Sequence, residues 1–219
     1  MMKTTLLFLL CGILVSIECR RSLRDYVVSQ NSFNGLGTND YSVYDPRENS
    51  LLCRLQPLNN GLNLSSNLII YPSRQKIALI TNIWSPFSKC FSFPSSLALK
   101  ILCLVYQSYI NVLDDQLNRW VKGQIYQVNR SEDFRCIIKY GTSSFLMENK
   151  FGSLITEIRD QKRQNYVLSR FYQTYFDPYF GLSRYNIQIY TDDLPDPIYI
   201  LALSALDSRT MPGRVRFIP

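Results

Sequence analysis

Residues 185–209, YNIQIYTDDLPDPIYILALSALDSR, decide the fold because the stretch changes rhythm halfway. Tyr185, Ile187 and Ile189 alternate with Asn186 and Gln188, the period-2 pattern of a half-buried strand. An acidic, proline-punctuated turn follows (Asp192, Asp193, Pro195, Asp196, Pro197), then a run from Ile198 to Leu206 that is apolar on nearly every side. A helix that is apolar all round must be buried all round. Ile198, Leu201, Leu203 and Leu206 supply bulk, and Ala202, Ser204 and Ala205 keep the segment slim. It is far shorter than the ~20 residues that span a bilayer. A short central helix, enclosed by whatever the rest of the chain builds, is the expectation.

Upstream, one unit recurs. Residues 40–56 (DYSVYDPRENSLLCRLQ) alternate, break at Asp45-Pro46 and alternate again, and residues 66–82 (SNLIIYPSRQKIALITN) do the same around Pro72 to Arg74. Residues 108–128 turn at Asp114-Asp115, and residues 144–160 turn at Glu148 to Lys150. Each reads as a hairpin of two period-2 strands joined by turn-forming residues. Residues 133–141 and 185–192 read as further strands. The spacing between units is uneven, which argues against a propeller or solenoid. So many antiparallel strands present edges, and closure into a barrel removes them. The fold class expected is therefore mostly β: a closed antiparallel barrel of successive hairpins around a short apolar C-terminal helix. LALKILCLVY (97–106) carries Lys100 inside an apolar run half a membrane span long, and reads as a buried strand or short helix joining the barrel's halves.

Composition agrees. With 219 residues, 46% apolar content, 15 Tyr and 12 Phe, the chain can bury a sizeable core in one β-rich domain over residues 20–219. Its formal charge of +7 is distributed as single Lys and Arg residues, the pattern of a solvated basic surface. Residues 1–19 have an early Lys, an apolar run from Leu6 to Ile17 and a following Arg pair, the layout of a signal peptide or an uncleaved signal anchor. Either sends the chain into the secretory pathway, to be secreted or membrane-associated. There, the sequons at Asn63 and Asn129 are glycosylation acceptors. Cys53, Cys90, Cys103 and Cys136 remain as buried thiols or as disulfides in any of three pairings. With no histidine and no Cys-x-x-Cys spacing, a structural zinc site is not expected.

NDYSVYDPRENSLLCRL, NLIIYPSRQKIALITN and YINVLDDQLNRWVKGQI, followed by SFLMENKFGSLITEI, YNIQIY and IYILALSALD, resemble the successive elements of phospholipid scramblases. These belong to the wider tubby C-terminal-like group of barrels, which includes the plant LURP-one-related proteins. The likeness lies in the order of elements over residues 26–209 rather than in one motif. It implies a barrel around a C-terminal helix, phospholipid or a membrane surface as partner, and assistance to the transbilayer movement of phospholipids. The chain departs from that pattern in several places, among them a shorter terminal helix, a shortened strand pair between Val128 and Ile137 and an N-terminal signal that the family mostly lacks. The acylated cysteine run is reduced to Cys90 and Cys103, and GLSRYNIQI puts Arg184 where the family has an acidic, calcium-associated stretch. An extra segment, QKRQNYVLSRFYQTYFDPYFG, precedes the last strand. The remaining calcium candidates, Asp177, Asp192 and Asp193, lack the loop spacing of a calcium site and read as turn and helix caps. No cofactor is expected.

Enzymatic chemistry is not expected either. Without histidine, Ser-His and Cys-His nucleophiles are absent, and NGLGTND (34–40) lacks the pattern of a phosphate-cradling loop. The acid pairs 114–115 and 192–193 are sequence neighbours, which point to opposite faces of a strand. The most site-like stretch is 159–180, where Arg159, Lys162, Arg163 and Arg170 are interleaved with aromatics including Tyr172 and Tyr175. Cations beside amphipathic rings suit a lipid headgroup interface; they also suit stacked nucleic acid, a less favoured partner here, or a barrel wall with its charges in water. Two functions follow: a scramblase-related, phospholipid-binding, membrane-associated protein, or a secreted non-enzymatic binding module that retains only the barrel.

Overall fold

The computed structural model describes residues 21–32, 40–47, 49–58, 65–86, 104–114, 118–128, 133–177 and 182–207. Alternating side chains form twelve strands: β1 (Arg24–Ser32), β2 (Asp40–Tyr44), β3 (Leu51–Pro57), β4 (Ser65–Ile70), β5 (Lys76–Pro86), β6 (Leu104–Asp114), β7 (Arg119–Gln127), β8 (Phe134–Tyr140), β9 (Ser143–Asn149), β10 (Ile155–Asp160), β11 (Tyr166–Phe176) and β12 (Ser183–Ile189). A 3-10 turn, Gln161–Arg163, joins β10 to β11, and among the described residues one α-helix, α1 (Asp196–Asp207), follows β12. Every strand pairs antiparallel with its sequence neighbours, and β1 pairs with β12, from Arg24 opposite Ile189 to Ser29 opposite Arg184. The sheet is therefore a closed up-and-down barrel with no unpaired edge.

A barrel of eight strands is just filled by its own side chains, so twelve strands leave room for more. α1 occupies that room. Ile198, Leu201, Ala202, Leu203 and Ala205 are fully buried and Leu206 nearly so, packed with inward residues such as Tyr41, Leu55, Ile80, Ile110, Ile138 and Ile187. The helix approaches β5–β8 most closely. On β7, Gly123 gives clearance: a Cβ there would stand 2.5 Å from the Lys139 carbonyl oxygen and 2.9 Å from Ile110 Cγ1.

Up-and-down topology sorts the connections by end. At the upper end lie the start of β1, the turns after β2, β4, β6, β8 and β10, and the start of α1; at the lower end lie the connections after β1, β3, β5, β7, β9 and β11.

The four hairpins expected from the sequence are β2–β3, β4–β5, β6–β7 and β9–β10. Of LALKILCLVY, residues 97–103 lie outside the described residues, and Leu104 to Tyr106 open strand β6. Strand β1 goes beyond the sequence expectations. Its inward positions include Gln30, whose carbonyl accepts the Ser183 N–H at 2.9 Å, so a polar side chain interrupts the apolar alternation. Cys53 and Cys136 are buried thiols on β3 and β8. Burial, helped by Asp196, pushes the Cys53 thiol up to about 12, so no thiolate forms near neutral pH. Residues 1–19, Cys90, Cys103 and the sequons Asn63 and Asn129 lie outside the described residues.

Candidate functional site

Cross-strand register builds a charged belt on the outer wall. Gln188, Arg170, Glu157, Glu148 and Arg135 stand opposite one another in turn across β12, β11, β10, β9 and β8. Glu157 and Glu148 are adjacent like charges, which would repel if left alone. Each is held by arginine. Arg170 Nε donates to Glu157 Oε1 at 2.8 Å, Arg159 bonds the other oxygen, and Arg135 Nε donates to Glu148 at 2.7 Å. Burial pushes the Glu157 carboxyl up, but the two guanidinium bonds outweigh it and hold the group below the usual carboxylate range. Arg170 also stacks on Tyr190 with 5.8 Å to the ring centroid, and the Tyr172 phenol lies beside both.

Above the belt, the β10–β11 turn is a second knot. Asp160 accepts the Lys162 N–H at 2.9 Å and Arg163 Nε at 2.7 Å, and Arg163 reaches Asp193 at 2.6 Å. The Arg163 bonds hold Asp160 below its ordinary value; Asp193 is lowered by the Thr191 hydroxyl and by Arg163. Arg163 also covers the Tyr166 ring at 5.4 Å. Lys162 is exposed. Of the six lipid-binding candidates, Arg159 and Arg170 thus gather on Glu157 with Tyr172 beside Arg170, Lys162 and Arg163 sit in the upper turn, and Tyr175 stands at the lower end with its hydroxyl 3.4 Å from Asp177. Three are brought together; three are dispersed. All three arginines face acids.

The calcium candidates are also apart. Asp192 bonds Arg24 at 2.5 Å, Asp193 bonds Arg163, and Asp177 lies at the other end of the barrel. No group of three potential ligands occurs among the described residues. Asp196, beside them, accepts the Tyr26 hydroxyl and Arg24 Nη2 at 2.9 Å, latching the start of α1 to β1. Burial, then Asp196, pushes the Tyr26 phenol up, so it stays a donor.

A feature with no marker in the sequence is a shallow groove of about 380 Å³ on the outer wall of β6–β8, lined by Gln107, Gln124, Tyr126, Gln127 and Lys139 beside Tyr106. Lys139 Nζ sits 5.2 Å from the Tyr126 ring centroid. These residues are far apart in sequence and meet only through register, Gln107 opposite Tyr126 and Gln124 opposite Lys139. A cation, amides and an aromatic wall suit a polar headgroup better than a buried acyl chain.

No family model, no curated protein and no solved structure matches the chain. What the chain defines by itself is a class: a closed twelve-stranded antiparallel barrel with one short C-terminal helix inside it.

Proposed function

We propose that the chain is a scramblase-related, non-enzymatic, phospholipid-binding barrel that works at a membrane surface in the secretory pathway and assists phospholipid movement between leaflets. One observation carries the reading: a closed twelve-stranded barrel encloses an apolar C-terminal helix, the architecture that the resemblance to scramblase and tubby-like barrels implies. The Lys139 groove adds a place of headgroup chemistry. The reading assigns calcium no role, which the ion pairs of Asp192 and Asp193 with arginine support. The test reconstitutes the purified protein with vesicles carrying a fluorescent phospholipid whose outer-leaflet copies are bleached by a membrane-impermeant reductant. Loss of fluorescence beyond the outer-leaflet fraction is expected, unchanged by chelator. Vesicle binding with no added bleaching would reduce the function to binding.

The secreted binding module is the second reading, favoured by α1 itself. At 12 residues it is about 18 Å long, and its apolar faces are all covered by the barrel. No described helix is long and apolar enough to cross a membrane.

A further inference from the structure

We infer that the lower end of the barrel, around Phe151, Leu154, Ile155, Tyr175 and Phe176, is the surface that docks on a phospholipid bilayer; this rests on the phospholipid-binding reading above. The β9–β10 turn is held by a set of side-chain hydrogen bonds. The Asn149 amide donates to the Ser153 carbonyl at 3.0 Å, the Ile155 carbonyl at 2.8 Å and Thr156 Oγ1 at 3.1 Å. Asp133, reaching from the neighbouring connection, accepts the Phe151 N–H at 3.0 Å. The result presents Phe151 at 75% exposure and Leu154 at 64%. The Gln173 N–H bonds the Leu154 carbonyl at 2.9 Å and so ties this turn to β11, whose last residues Tyr175 and Phe176 continue the patch. Large apolar side chains fixed in water are unfavourable unless something covers them.

Charge and chain length point to lipid. Lys150 beside Phe151, and Arg184 directly across from Tyr175, are exposed and in no ion pair with a described residue. Among the described acids of this end, Asp40 is paired with Arg54, and Asp133 and Asp177 accept bonds from the Phe151 N–H and the Tyr175 hydroxyl. Strand β5 leaves at Pro86 and β6 returns at Leu104, both at this end. The intervening residues 87–103 contain Phe87, Phe91, Phe93, Lys89 and Lys100 and no acid. Exposed aromatics and aliphatics at a turn tip, flanked by Lys150 and Arg184, complement the boundary between acyl chains and anionic headgroups. The surface proposed consists of the described residues alone.

Sedimentation with phosphatidylcholine vesicles, with and without phosphatidylserine, tests the inference. The protein is first treated with an N-glycosidase, which removes any glycan from the sequons at Asn63 and Asn129. The parent binds, more tightly with phosphatidylserine. Phe151→Ser combined with Leu154→Ser weakens binding by about 100-fold at an unchanged melting temperature. Trp120→Ser, exposed at the upper end, binds as the parent does. Independently, Phe151→Trp gains fluorescence that brominated lipid chains quench. A parent that ignores both vesicles overturns the phospholipid-binding reading and this one with it. If the parent binds while the double variant binds equally and the new tryptophan is not quenched, only this inference falls. Should the double variant instead abolish self-association of a parent that ignores vesicles, the patch is a contact between copies.

Discussion

Two regions of the barrel, the corner where β1 meets α1 and the β9–β10 turn at the opposite end, treat their side chains in opposite ways. At the upper end, Arg24, Tyr26, Arg163, Asp160, Asp192, Asp193 and Asp196 satisfy one another across β1, the β10–β11 turn and the start of α1. At the lower end, hydrogen bonds lock the backbone, and the side chains so positioned are apolar and bare. In one place polar side chains hold the fold. In the other the fold holds side chains that contribute nothing to it, which is the arrangement of a surface kept for contact.

The largest effect should come from the plug that both ends share. Leu201→Asp or Leu203→Asp places an unpaired charge in a sealed interior, at a cost of several kcal/mol, enough to abolish the cooperative melt. Normal melting of both variants would remove α1 from the barrel and void the comparison. Next come the ends themselves. Asp196→Ala orphans the Tyr26 hydroxyl and removes one Arg24 partner, costing about 1–3 kcal/mol in chemical denaturation. Phe151→Ser stays within about 0.5 kcal/mol of the parent; equal losses at both ends would show that the lower patch is structural. Smallest is the acid response. Glu157, Asp160 and Asp193 have folded-state values below their unfolded ones. Their stabilisation is therefore complete above the unfolded carboxylate range, near pH 4, and lost as pH falls through the lower folded values. Melting temperature should drop between about pH 4 and pH 2. Glu157→Gln should flatten part of that slope, and a parallel slope in the variant would show that the belt is not coupled to folding.

Hairpins and plug were legible because each rests on local periodicity: two for strands such as Phe134–Tyr140, and apolarity all round for Ile198–Leu206. Register was not legible. Glu148 and Glu157 sit nine positions apart, and only the β9–β10 pairing reveals that they are neighbours shared out among three arginines. A register shift between β10 and β11 buries both Leu168 and Ser169, so the alternation of β11 fails there. From sequence, Arg159, Arg163 and Arg170 look like an open basic face; their acid partners lie two, three and thirteen residues away, with Asp193 from a separate element. Exposure of Phe151 and Leu154 depends on the Asn149 amide, which no composition reveals.

Pairing of the first strand with the last also has a topological consequence. It brings Arg24, at the opening of the sheet, beside Asp192 and Asp196 just past its close, at the end opposite Phe151 across a wall about 20–25 Å high. Start and finish of the sheet are thus one joint, so loosening β1 would release the rim and the root of α1 together.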